Sequence, residues 1–284
     1  MNKKQSLVNK YPLVTAFVAL VIAFVLLLTI KTDGTVLQNL RQEVPLTILT
    51  LGLVVAIGGF KLIKFKSNGL GFTFRKSIIY LIPGILVASS TIFAVISAHR
   101  ALQPNLILLI LEGVFFYSLL GFFEEGMFRG VILQALLAKL GKTRRGLFSA
   151  VIIGGVIFGF VHILLGWFQS GVDLSVLGLL QALVKTLSAG MAGYFFGAIY
   201  LKTKNLWGIA IVHGLSDFLL MIGNLMFTGS NSVSYVSSDP KQAMTTLLIN
   251  TIFILIYIPL VVGATKQLKS LALPQLGFYR ENWK

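Results

Sequence analysis

Two adjacent carboxylates, Glu124 and Glu125, are followed by Arg129, and two histidines, His162 and His213, stand in otherwise apolar stretches. Asp217 follows His213 by four residues. These are the groups that amide hydrolysis needs: a carboxylate that takes a proton from an attacking water, and N–H donors for the oxyanion that develops. Imidazole and carboxylate are also usual zinc ligands, so Glu124, His162, His213 and Asp217 form a candidate set for a divalent metal such as zinc. Cysteine is absent, which removes a thiolate ligand, a cysteine nucleophile and any disulfide. Ser216 sits in Gly214-Leu215-Ser216-Asp217-Phe218, and Phe218 breaks the G-x-S-x-G pattern. There is no H-E-x-x-H either.

The elements that must position these groups are set by the rest of the chain. Of 284 residues, 56% are hydrophobic and 12% charged, with a mean hydropathy of +0.88. Soluble domains carry about 25% charged residues, so the balance belongs to a membrane protein. The apolar residues fall in blocks of about 18 or more, long enough to cross a hydrocarbon core about 30 Å thick. Eight blocks are predicted to span, at 13–30, 44–63, 77–97, 105–137, 147–168, 176–201, 206–227 and 243–263. The fold class is therefore all-α, a polytopic bundle of about eight transmembrane helices in a single integral membrane domain, 1–284. The chemistry-bearing core lies at about 105–225. The first block lacks a small-residue cleavage site after Ile30 and is read as an uncleaved helix.

Basic residues give the orientation. Alternate loops and both termini carry eighteen Lys and Arg, while the opposite loops carry four, Lys31, Arg41, Arg100 and Lys241. The positive-inside rule then places both termini in the cytoplasm. This distribution also accounts for the net charge of +15 without nucleic acid. The two basic residues left over, Arg129 and Lys185, lie inside spans. Gly155 and Gly159, and likewise Gly193 and Gly197, have the spacing that lets helix backbones approach closely in lipid. Residues 229–240, GSNSVSYVSSDP, read as an outside loop, and His99 beside Arg100 reads as solvated.

Ionisable groups inside a bilayer cost several kcal/mol unless paired or facing a polar cavity, so Glu112, Glu124, Glu125, Arg129, His162, Lys185, His213 and Asp217 stand out. Glu125 and Arg129 share a helix face and can pair. Glu124 points about 100° away from Glu125 on a 3.6-residue helix. His213 and Asp217 share a face of the seventh span, and Phe158 and His162 a face of the fifth. Each has a plainer alternative. Glu125–Arg129 can be a structural staple, His162 can be satisfied by a helix carbonyl, and His213–Asp217 can be an interhelical clamp. Lys185 and Glu112 can pair with each other, or Lys185 can snorkel. Three helices placing such groups at matching depth nevertheless make one polar chamber the expectation.

Three segments carry a family resemblance. Glu124-Glu125-Gly126-Met127-Phe128-Arg129 resembles the E-E-x-x-x-R motif of the CAAX protease and bacteriocin-processing family, also called the Abi family. Phe158-Gly159-Phe160-Val161-His162 resembles its F-x-x-x-H motif, and His213-Gly214-Leu215-Ser216-Asp217 its H-x-x-x-N/D motif. The resemblance implies an intramembrane endopeptidase acting on a membrane-associated peptide or lipidated protein. By position it makes Glu124 the residue that activates water, His162 its assistant, and His213 and Asp217 the oxyanion-stabilising pair. Glu125, Arg129 and Phe158 become supports. The prenyl endopeptidases carry Asn where this chain has Asp217, and an ionised Asp cannot donate a hydrogen bond. Asp217 must then be protonated or orient His213. Metal-independent and metal-assisted mechanisms both stay open, as do two other functions: a non-catalytic immunity or scaffold protein acting against bacteriocins or on a sensor partner, and a proton-relaying transporter. A bacterial plasma membrane is the expected location. No CAAX box stands in Glu281-Asn282-Trp283-Lys284, so self-processing is not expected.

Overall fold

The computed structural model describes residues 10–98, 101–227 and 236–273. Described residues are helical almost throughout, as lipid demands: without water to satisfy backbone N–H and C=O groups, a spanning segment satisfies them within itself. In chain order the helices are α1 (Pro12–Thr29), α2 (Val36–Ala56), the single turn α3 (Phe60–Ile63), α4 (Leu70–Ala98), α5 (Leu106–Glu125), α6 (Leu133–Leu140), α7 (Arg144–Ser170), α8 (Val176–Thr203), α9 (Leu206–Met226) and α10 (Pro240–Ser270). His99, Arg100 and most of the loop predicted at 229–240 lie outside the described residues.

Among the described residues, seven segments are long and apolar enough to cross a membrane, counting Leu106–Leu140 as one. The predicted span 44–63 differs from what forms. It starts earlier, as α2, and ends at Ala56 before the separate turn α3. The first half of α2 carries Arg41, Gln42, Glu43 and Pro45, which dilutes its apolar character.

Caps explain where several helices begin. Thr35, Thr143, Ser175, Asn205 and Asp239 each accept from a backbone N–H in the first turn of the helix that follows. Asp33 and Asp173 precede two of these caps and accept from Thr35 N (2.9 Å) and Ser175 N (2.9 Å). Hydrogen bonds to Thr35 and Ser175 hold both carboxyls below the usual carboxylate range.

A π-helical segment, Gly126–Ile132, joins α5 to α6, and every one of its residues is buried. The N–H of Leu133 reaches back to the carbonyl of Phe128, five residues earlier. The Gln134 side chain donates to the carbonyl of Arg129 (3.3 Å) and to the Tyr200 hydroxyl (3.1 Å). It thereby satisfies a backbone group at this irregularity. π-segments are rare and gather at functional sites.

Close packing of small residues positions the three motif helices. α5 and α9 run antiparallel, with Gly121 against the Ala210 carbonyl and Gly214 against the Tyr117 carbonyl. α7 and α8 run antiparallel through Gly155 against Gly190 and Gly159 against the Thr186 carbonyl, which bears out the packing role predicted for these glycines. Gly126 and Gly130 lie against Thr50 and Val54 of α2.

Gly214→Ala is expected to lower the melting temperature in detergent, because the new methyl group meets the Tyr117 carbonyl and pushes α9 off α5. Overpacking of this kind costs about 1–3 kcal/mol. Gly263→Ala, where a Cβ meets nothing within 4 Å, is the matched control and should leave the melting temperature unchanged.

Candidate active site

The centre of the site is His213, on α9 and 4% exposed. Its Nδ1 lies 2.7 Å from Glu125 Oε1. Its Nε2 lies 3.5 Å from Glu124 Oε2 and 3.5 Å from Asp217 Oδ2. One imidazole therefore spans both neighbouring carboxylates of α5. The separation of Glu124 from Glu125 around the helix does not send Glu124 to a different partner, because His213 presents one ring nitrogen to each.

Glu125 is fully buried and pairs with Arg129 Nη1 at 3.0 Å, one turn later. Arg129 Nη2 donates to the Gly193 carbonyl of α8 (3.1 Å), and its guanidinium lies 4.6 Å from the Phe158 ring centre. The pair is thus the staple that was expected, and it does a second thing. A carboxylate engaged by Arg129 can only accept from His213, which puts the proton of that hydrogen bond on Nδ1. The orientation of the His213 ring and the direction of its Nε2 are set from behind by Glu125.

Phe158 joins the fifth span to this group. Its ring centre lies 4.7 Å from that of His162, 5.7 Å from that of His213 and 4.8 Å from that of Phe128. His162 Nδ1 lies 2.7 Å from the Phe158 carbonyl. A carbonyl accepts, so Nδ1 carries the proton, and in the neutral ring the lone pair is on Nε2. The predicted satisfaction of His162 by a helix carbonyl is what occurs. His162 reaches the cluster through Phe158, whereas Glu124, Glu125, Arg129, His213 and Asp217 are in direct contact with one another.

Among the described residues no three His, Asp or Glu side chains are arranged to hold a metal ion.

Glu124 is the exposed carboxylate of the pair. Its side chain is 18% accessible, against 0% for Glu125, and Asp217 beside it is 26% accessible. Glu124 Oε2 itself is buried and has no hydrogen-bond partner among the described residues.

Several members of this neighbourhood were not anticipated. Phe196 of α8 stacks on His213, ring centres 5.5 Å apart and planes 26° apart, and also lies 5.6 Å from the Arg129 guanidinium. Its only sequence cue is its place between Gly193 and Gly197. Glu43 of α2 is 4% exposed, and Glu124 is the charge that acts on it. Lys185 makes no ion pair with Glu112 among the described residues. It lies instead in the fields of Asp217 and Glu124.

Comparison with known proteins adds one finding to this geometry. Residues 106–219 match the Rce1-like family, the type II CAAX prenyl endopeptidases. The matched stretch begins at the start of α5 and ends within α9, so it contains all three motifs and the whole direct cluster around His213. This match supports the family resemblance carried by those motifs and, for this stretch, a CAAX-type membrane protease fold. α1, α2, α4 and α10 lie outside the match. No curated protein and no solved structure matches the chain significantly.

Proposed function

We propose that the chain is an intramembrane endopeptidase of the CAAX-protease type, hydrolysing a peptide bond in a membrane-associated peptide or lipidated protein with a water activated by Glu124. The observation that carries the reading is the pairing of opposite roles on one imidazole. Glu125, locked to Arg129, orients His213, while Glu124 keeps a buried oxygen without a hydrogen-bond partner 3.5 Å from the other nitrogen.

In the proposed reaction Glu124 accepts a proton from water as the water oxygen attacks the scissile carbonyl carbon. The C=O electron pair moves onto oxygen, and His213, as an imidazolium with a proton on each ring nitrogen, donates Nε2–H to the resulting oxyanion. Collapse breaks the C–N bond, and the proton held by Glu124 passes to the departing nitrogen. Asp217, 3.5 Å from the same Nε2, supplies the negative charge that keeps that nitrogen a donor. In this role Asp217 orients His213 and has no need to donate a hydrogen bond itself. His162 stands at the edge, linked by the Phe158 ring. No step uses a metal ion.

The reading keeps both termini cytoplasmic, on the eighteen-to-four distribution of basic residues. The test is cleavage by the purified protein in liposomes of a peptide ending in farnesyl-cysteine and three further residues, with the unprenylated peptide alongside, followed by mass spectrometry. A new carboxyl terminus after the cysteine is the expected product. Absence of cleavage of either peptide favours the non-catalytic scaffold. Asp217→Asn is expected to slow cleavage by about tenfold, the loss of roughly one charge-assisted interaction. It should do so chiefly in kcat, because Asp217 acts on His213 in the transition state.

A further inference from the structure

The connector between α2 and α4 interleaves apolar and basic residues, as Phe60-Lys61-Leu62-Ile63-Lys64-Phe65-Lys66. Leu62 is buried and ties the turn α3 to the bundle. Phe60 and Phe65 are 52% and 62% exposed, and Lys61, Lys64 and Lys66 are exposed beside them. Lys64 Nζ lies 5.2 Å from the centre of the Phe60 ring, so charge and apolar surface are in contact.

The connector is seated on the turn between α8 and α9. Trp207 Nε1 donates to the Ile63 carbonyl (3.0 Å). Asn205 Nδ2 donates to the carbonyls of Lys66 (2.8 Å) and Asn68 (2.8 Å), while its Oδ1 accepts from Gly208 N–H (3.2 Å). One buried side chain therefore caps α9 and holds the connector. Gly69, at φ +87°, lies against Thr203, where a Cβ would come within 3.0 Å of the Thr203 Cβ. Phe65 meets Trp207 edge-on, ring centres 5.4 Å apart, and Trp207 meets Phe122 of the motif helix edge-on at 4.5 Å.

This seating gathers charge of one sign. Arg75 and Lys76 near the start of α4 and Lys202 near the end of α8 are exposed as well. The two stretches 57–81 and 199–211 contain no Asp or Glu. The patch also sits where spanning helices begin and end: α4 begins at Leu70, α8 ends at Thr203 and α9 begins at Leu206.

Lysine and arginine alone would suit any polyanion, and the exposed phenylalanines decide between partners. A soluble acidic polymer would leave Phe60 and Phe65 in water. A headgroup region offers phosphates to the lysines and the acyl boundary to the rings. We propose that this patch is a binding site for acidic phospholipid head groups, with Lys61, Lys64 and Lys66 on the phosphates and Phe60 and Phe65 at the acyl boundary. The site stands on the fold and owes nothing to the hydrolytic reading; the connector lies outside the matched residues 106–219. On the orientation given by the basic residues it faces the cytoplasmic leaflet, where acidic lipids gather.

Trp207 reports on the patch from within. The chain has three tryptophans, so Trp167→Phe with Trp283→Phe leaves Trp207 alone. Quenching of its fluorescence by dibrominated lipid then reads which lipid lies against it. The protein is reconstituted in mixtures of phosphatidylcholine and phosphatidylglycerol, with one or the other brominated. Phosphatidylglycerol is expected to associate about fivefold to tenfold more strongly, the scale of one or two basic residues beside charged lipid. About 1 M salt should remove most of that preference.

Lys61→Gln, Lys64→Gln and Lys66→Gln together are expected to bring the ratio close to one. Lys139→Gln, Lys142→Gln and Lys266→Gln together remove the same charge elsewhere and should leave it. Equal association of the two lipids with the parent protein overturns the proposal. So does a preference that survives the first triple variant, or one that falls as far in the second, since either assigns it to net charge rather than to this patch. Phe60→Ser keeps every charge and the Phe65–Trp207 contact, and is expected to weaken quenching by both lipids as the connector lifts from the acyl boundary. Quenching unchanged by Phe60→Ser marks a patch that meets anions in water and overturns the lipid reading.

Discussion

Glu124→Gln is expected to lower peptide cleavage by about a hundredfold to ten-thousandfold, the range assigned to a positioned general base. The substitution keeps the size and the acceptor oxygen of the side chain and removes its ability to take a proton. Glu124 is 18% accessible, lies outside the buried Glu125–Arg129 pair, and as glutamine keeps an acceptor 3.5 Å from His213, so the fold is expected to survive the loss of its charge. The variant should therefore express, enter the membrane and melt close to wild type. Substrate binding should also survive, because the loss falls on a proton transfer that occurs in the transition state. A drop in kcat with KM nearly constant is the expected signature. The rate is to be measured on the same liposomes and peptide as wild type.

Arg129→Met is expected to act in the opposite way, through stability first. Arg129 is 2% exposed and Glu125 0%, and the two are 3.0 Å apart. Removing one partner of a buried pair leaves the other charge stranded, at a cost of about 3–5 kcal/mol. Here the stranded group is Glu125, which also holds His213 Nδ1. The Gly193 carbonyl on α8 loses its donor, and the Phe158 and Phe196 rings lose the cation they flank. Denaturation in detergent should show the loss, and cleavage should fall with it. Adding Glu125→Gln to Arg129→Met removes the stranded charge and is expected to recover part of the stability. Activity should stay low, because a glutamine amide no longer supplies the negative charge that supports a doubly protonated His213. That split between stability and activity separates the orienting role of Glu125 from its packing role.

Most of the direct cluster was legible in the sequence for a physical reason. Ionisable residues are so costly in lipid that Glu124, Glu125, Arg129, His213 and Asp217 announce themselves against an apolar background. Their spacing of four within a helix fixes which can touch. What could not be read is equally specific. The Gly193 carbonyl is backbone, and backbone acceptors have no residue type. Phe196 is one aromatic among 22 phenylalanines, and only its stacking on His213 distinguishes it. Glu43 follows Arg41 and Gln42, so it reads as the polar end of a loop, yet α2 begins at Val36 and carries it into the bundle. The π-segment keeps the residue pattern of an α-helix while changing its turn, so it leaves no mark in the sequence. The metal set was chemically reasonable by residue type.

The account places a hydrolytic water on Glu124, and solvent oxygen traces that water most directly. Liposomes bearing wild-type protein or Glu124→Gln are given the farnesylated peptide in ¹⁸O-labelled water, and the released fragments are weighed as a function of time. The account predicts one ¹⁸O in the new carboxyl terminus made by wild type, accumulating at a rate that collapses in Glu124→Gln. Labelled product forming in Glu124→Gln as fast as in wild type would contradict it.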